Sequence, residues 1–176
     1  MKSLTLSFLF VLFLFSVQAQ ENFGVKVYEG KEKIPTYQKG PDETSPLFFT
    51  GRGVQGTSGH IYPYPAQTNL SDTLTMETYD MVYLENKYLK VTILPAFGGK
   101  LYSAIDKTNG HELFHRNSVI KPDLIGTLGA WISGGIEWCF PNHHRTTTLL
   151  PADYGIEQNE DGSATVWIGE TERNKG

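Results

Sequence analysis

The chain has 176 residues, 15 Lys+Arg against 19 Asp+Glu, five His and a single Cys. A net charge of −4 with no run of basic residues argues against nucleic acid or an anionic membrane surface as partner. One Cys makes no intrachain disulfide, so stability must come from packing, and Cys139 reads as a buried free thiol.

Residues 1–19 read as an export signal. Lys2 gives a short positive start, Leu4 to Val17 is apolar apart from Thr5, Ser7 and Ser16, and Val17-Gln18-Ala19 fits a small-residue cleavage site. The apolar run falls short of the roughly 20 residues of a spanning helix, so no membrane span is expected after cleavage and the expected location is periplasmic or secreted. Residues 20–77 read as an N-terminal extension that packs on a main sheet. Val25 to Tyr28 alternates like a short strand, while the segments around Pro35 and Pro46 are limited by proline to edge strands or ordered loops. Gly51, Gly53, Gly56 and Gly59 followed by Tyr62-Pro63-Tyr64-Pro65 exclude a helix.

Residues 78–176 hold the clearest architecture. Tyr79 to Leu84 is a strand candidate, and Tyr88 to Leu94 puts Leu89, Val91 and Ile93 on one face. Pro95 ends that strand, Gly98-Gly99 permits a positive-φ bend into Lys100 to Ile105, and Asn109-Gly110 signals a turn before His111 to Phe114. Ala130 to Phe140 reads as one long strand, with Ile136, Trp138 and Phe140 packing on one face and Gly135, Glu137 and Cys139 on the other. Tyr154 to Ile156 and Ala164 to Ile168 form a last pair around the polar turn Glu157 to Gly162. No amphipathic helix longer than two turns is visible, so the fold class is all-β and antiparallel. The abrupt end after the last strand leads to the expectation that the chain is the N-terminal part of something longer.

The chemistry concentrates between Trp131 and Arg145. Two Trp, a carboxylate, two adjacent His and an Arg within fifteen residues are what a sugar site needs: aromatic platforms with fixed polar groups. Glu137, flanked by small residues on its face, is the candidate acid or base, or else a solvent-facing carboxylate or the partner of Arg145. His143 and His144 point to opposite sides of an extended backbone, so only one of them readily faces the same site as Glu137; His144 is the candidate for proton transfer and His143 for substrate binding, or else they stabilise the loop. That divergence argues against a shared metal, and no metal is expected. Arg145 positions the ligand or bridges to a carboxylate, and Trp131 stacks on the ring. Gly134-Gly135 marks a bulge or a close backbone approach. No nucleophile elbow, phosphate loop or carboxylate-rich metal loop occurs, and no cofactor is expected.

Tyr88 to Leu101 with its glycine bend, continuing to Asp106-Lys107-Thr108-Asn109-Gly110, resembles the opening strands of galactose mutarotase-like proteins. Lys121 to Gly126, Trp131 to Trp138 and His143-His144-Arg145 together resemble the DUF5107 domain, found in large exported bacterial proteins and commonly followed there by tetratricopeptide repeats. The resemblance covers about residues 34 to 171. It implies an antiparallel β-sandwich of the mutarotase type, a saccharide or glycan as ligand, and a His acid with a Glu base if the domain is catalytic. The alternative is a non-catalytic interaction module with protein partners bound through downstream repeats.

Overall fold

The computed structural model describes residues 24–44, 47–48, 61–62, 67–124, 130–138 and 146–170. Residues 1–19, expected as a signal, lie outside them, as do Cys139, Phe140, His143, His144 and Arg145. The described residues are almost wholly β and all their strand ladders are antiparallel, as the sequence implied. No helix among them is long and apolar enough to cross a membrane.

The principal sheet has five strands in the order β1-β4-β5-β6-β7. These are β1 (Lys26–Lys39), β4 (Leu70–Glu85), β5 (Leu89–Leu94), β6 (Lys100–Asp106) and β7 (His111–Glu112). Short pairs β2 (Leu47–Phe48) with β3 (Ile61–Tyr62), and β8 (Asp123–Leu124) with β9 (Ala130–Trp131), stand apart from it. The hairpin β10 (Asp153–Gln158) with β11 (Ala164–Gly169) forms a further layer.

Val25 to Tyr28 and the segment around Pro35, expected as short separate pieces, fall together in one 14-residue strand that begins at Lys26. β1 pairs along its length with β4, which itself runs through positions 77 and 78. Pro35 is tolerated because it lies on an edge. Its carbonyl accepts from Ile120 N, and Tyr37 N donates to Ile120 O, so the side lacking an N–H faces away from β4.

The β4-β5-β6 meander follows the expected alternation until its centre. Between the pairs Thr92↔Ser103 and Ile93↔Leu101 the register shifts, leaving Tyr102 as an extra residue in β6. Thr92, Ile93 and Leu94 are all buried, as are Tyr102, Ser103 and Ala104. Consecutive burial also means that the sheet is covered on both faces. Ile34, Met81, Tyr83, Leu94, Tyr102 and Ile132 build the core on one side. Val82 and Ile93, opposite one another, point to the other side. There the Tyr154 hydroxyl donates to Glu29, the register partner of Val82, at 2.5 Å. Ile168 packs so closely on Gly99 that a Cβ there would lie 2.3 Å from its side chain. β10-β11 thus supplies the second layer of a sandwich. Beyond the hairpin, Leu74 and Met76 on that same face remain exposed.

One expectation is overturned. Residues 130–138 are not part of one long strand: β9 ends at Trp131, and the chain then turns through Gly134 (φ +88°) and Gly135 (φ +66°). Two successive left-handed residues are incompatible with a pleated strand, so period-two face assignments fail beyond them.

Candidate functional site

The site begins at the end of β5. Pro95 starts a single 3-10 turn, Pro95–Phe97, and Gly98 and Gly99, both at φ +65°, reverse the chain into Lys100. Lys100 is only 2% exposed, and its ammonium donates to Ile132 O and Gly134 O, each at 2.8 Å. Burial pushes its pKa down, while the charge of Glu137 acts in the opposite sense.

The loop 132–138 is fastened to the sheet at further points. Leu101 and Ile136 exchange backbone hydrogen bonds of 3.1 and 2.8 Å, and Gly135 N donates to His115 O at 2.8 Å. A Cβ on Gly135 would sit 2.3 Å from Leu101 O, which is the close backbone approach expected of this pair. The Trp138 indole N–H donates to Gly99 O at 2.8 Å. Asn117 Nδ2 donates to Ser133 Oγ and Ser133 O at 2.6 and 3.2 Å, and Asn117 Oδ1 meets His115 Nε2 at 2.7 Å.

Behind Asn117 stands a polar and aromatic support. Its carbonyl accepts from the Tyr102 hydroxyl at 3.1 Å, and Arg116 lies over the Tyr102 ring at 4.6 Å. Arg116 also donates to Glu32 at 2.6 Å, which in turn accepts from the Tyr83 hydroxyl at 2.9 Å. Burial, reinforced by Glu32, pushes the Tyr83 phenol up to about 12.

Two cavities open on either side of this loop. The first, about 520 Å³, is lined by Asn117, Val119, Lys121, Asp123, Leu124, Trp131 and Ser133. Its lining thus combines one aromatic side chain with a carboxylate, an amide, an ammonium and a hydroxyl; the amide and hydroxyl bond each other, and the Lys121 ammonium lies over the Tyr37 ring at 4.9 Å. The second, about 350 Å³, has mainly apolar walls that include Trp138, Ala152, Val166 and Ile168, with Thr148 and Glu170 as polar members.

Of the predicted site residues, Trp131 and Glu137 are among those described. Trp131 lines the first cavity. Trp138, expected to pack with Ile136 and Phe140, is instead 49% exposed and walls the second. The turn at Gly134-Gly135 rotates it out of the alternation that assigned it to the core. Glu137 is half-buried close enough to act on Lys100, and it lines neither cavity. His143, His144 and Arg145 lie outside the described residues. Among the described residues no three His, Cys, Asp or Glu side chains gather as metal ligands.

Lys100, Asn117 and Asp123 escaped the sequence reading. Lys100 had a signal: it lies two residues before Tyr102 in β6 and opposite Leu94, both core residues, where a lysine needs a buried partner. Asn117 and Asp123 come from an irregular stretch whose path no periodicity encodes.

Residues 57–176 match the family described as "Domain of unknown function (DUF5107)". The chain is also similar to a solved structure, that of a TPR-domain containing protein from Parabacteroides distasonis ATCC 8503, at 30% identity and a TM-score of 0.63. The similarity covers 80% of this chain and 23% of that one, so the present chain corresponds to under a quarter of its length.

Proposed function

The chain belongs to the DUF5107 family, and from that premise we propose that the domain recognises saccharide, holding a sugar ring against Trp131. The observation that carries this is the composition of the 520 Å³ cavity, where Trp131 stands with Asn117, Lys121, Asp123 and Ser133. A pyranose presents an apolar face and a rim of hydroxyls, and this set offers an aromatic surface and both donors and acceptors. The reading is recognition rather than turnover, because Glu137 is not a wall of this cavity. His143, His144 and Arg145 extend the reading as further ligand contacts, and residues 1–19, read as a signal, extend it to a location outside the cytoplasm. Calorimetric titration of the intact protein with a saccharide panel tests it. Trp131→Ala and Asp123→Ala should each weaken binding on the order of tenfold. Equal affinity in both variants would remove the cavity as the site.

A second reading, a protein-interaction module, is favoured by the exposed Leu74 and Met76 on the uncovered part of the principal sheet. The similar solved structure, named as a TPR-domain containing protein, supports the same direction. Leu74→Ser with Met76→Ser should abolish protein capture while leaving saccharide affinity intact. Capture retained by that double variant would contradict the second reading.

A further inference from the structure

Backbone carbonyls withdrawn from water require donors. The turn through Gly134 and Gly135 brings the carbonyls of Ile132 and Gly134 onto the start of β6, and one ammonium, that of Lys100, meets both. A buried lysine is a costly way to fill space. Its pKa is pushed down by burial, and where only bulk is needed an apolar side chain of the same length serves as well or better. What the lysine holds accounts for it. Ser133 lies between the two acceptors and receives both hydrogen bonds donated by Asn117 Nδ2, and Gly99, next to Lys100 in the chain, accepts from the Trp138 indole.

We propose that Lys100 is the positioning residue of this loop, its ammonium fixing Ser133 and Asn117 at one cavity and, through the adjoining Gly99, Trp138 at the other. It acts through these residues and touches no ligand itself. For saccharide the inference rests on the recognition reading above; for the geometry of the loop it stands independently.

The experiment uses the intact isotope-labelled chain. In the wild type the Lys100 ammonium exchanges its protons on the order of tenfold more slowly than that of exposed Lys31, and it shows couplings across the hydrogen bonds to the Ile132 and Gly134 carbonyl carbons. In Lys100→Met, the Asn117 side-chain amide and the Trp138 indole N–H exchange on the order of tenfold faster, while the backbone amides of Val82 and Leu94 are unchanged. Lys100→Arg, which keeps a cation and its donors, recovers part of the protection. Saccharide affinity, measured in parallel, falls by the same order in Lys100→Met. A Lys100 ammonium that exchanges as fast as that of Lys31 overturns the proposal, as does a Lys100→Met variant with unaltered Asn117 and Trp138 signals. Should Lys100→Met not fold, the wild-type ammonium decides. If the wild type binds no saccharide, the recognition reading falls and the exchange measurements still judge Lys100.

Discussion

The β4-β5-β6 meander and the loop at 132–138 lie side by side, joined through Leu101 and Ile136, yet different forces hold them. In the meander, position is set by side chains withdrawn from water on both faces, Met81 and Leu94 to one side and Val82 and Ile93 to the other. In the loop, position is set by polar tethers and by glycines in conformations that other residues resist. The first kind of order is robust to the identity of any one apolar residue of similar size. The second depends on individual atoms, and for that reason it can present polar side chains to a cavity.

The largest expected effect lies in the meander. Leu94, fully buried, should cost about 4 kcal/mol when changed to Ala, read as a lower denaturation midpoint with the cavities' ligand preferences unaltered. In the loop, Gly135→Ala combines left-handed strain with a Cβ driven into Leu101 O, a backbone atom that cannot swing aside, and should cost about 3 kcal/mol. Gly110 provides the contrast, since it shares a positive φ of 75° but has open space around it. Gly110→Ala should cost only about 1 kcal/mol, from strain alone. Equal losses at Gly110 and Gly135 would show that the contact between loop and β6 does not set the loop.

Alkali separates the regions differently. The Tyr83 and Tyr28 phenols are pushed up to about 12, Tyr83 chiefly by burial and Tyr28 chiefly by its hydrogen bond to Glu85. The folded chain therefore keeps these protons where the unfolded chain, with a value near 10, releases them. Their contribution is complete below about pH 10 and lost as pH rises towards about 12. Denaturation midpoints should fall across that window, and the fall should shrink in Tyr83→Phe. Tyr28, more exposed, should matter less. The smallest effect is expected at Trp167, 63% exposed on β11, where Trp167→Thr should change stability by no more than ~0.5 kcal/mol.

These contrasts explain what the sequence disclosed. Period-two alternation placed β5 and β6, Pro95 and Gly98-Gly99 marked the reversal between them, and the β10-β11 hairpin was visible from its polar turn. The long β1 was hidden because Pro35 argues against a strand unless its edge position is known, and that position depends on Ile120, 85 residues away. The loop was misread because Ile132 to Trp138 alternates like a strand; only the conformation of two glycines breaks the pattern, and a Gly pair is equally at home in a bulge. From that error came the burial assigned to Trp138. Trp131 lines a cavity that Asn117, Lys121 and Asp123 join through tertiary folding that no local spacing records.

The measurement that bears most directly on the whole account is a titration of the intact labelled protein with neutral saccharides, following the Trp131 indole and the Asn117 side-chain amide. The account predicts that one saccharide class shifts both signals to saturation, and that Trp131→Ala weakens this binding on the order of tenfold with the fold intact. Saccharide binding that leaves both signals unmoved, or that is as tight in Trp131→Ala as in the wild type, would contradict it.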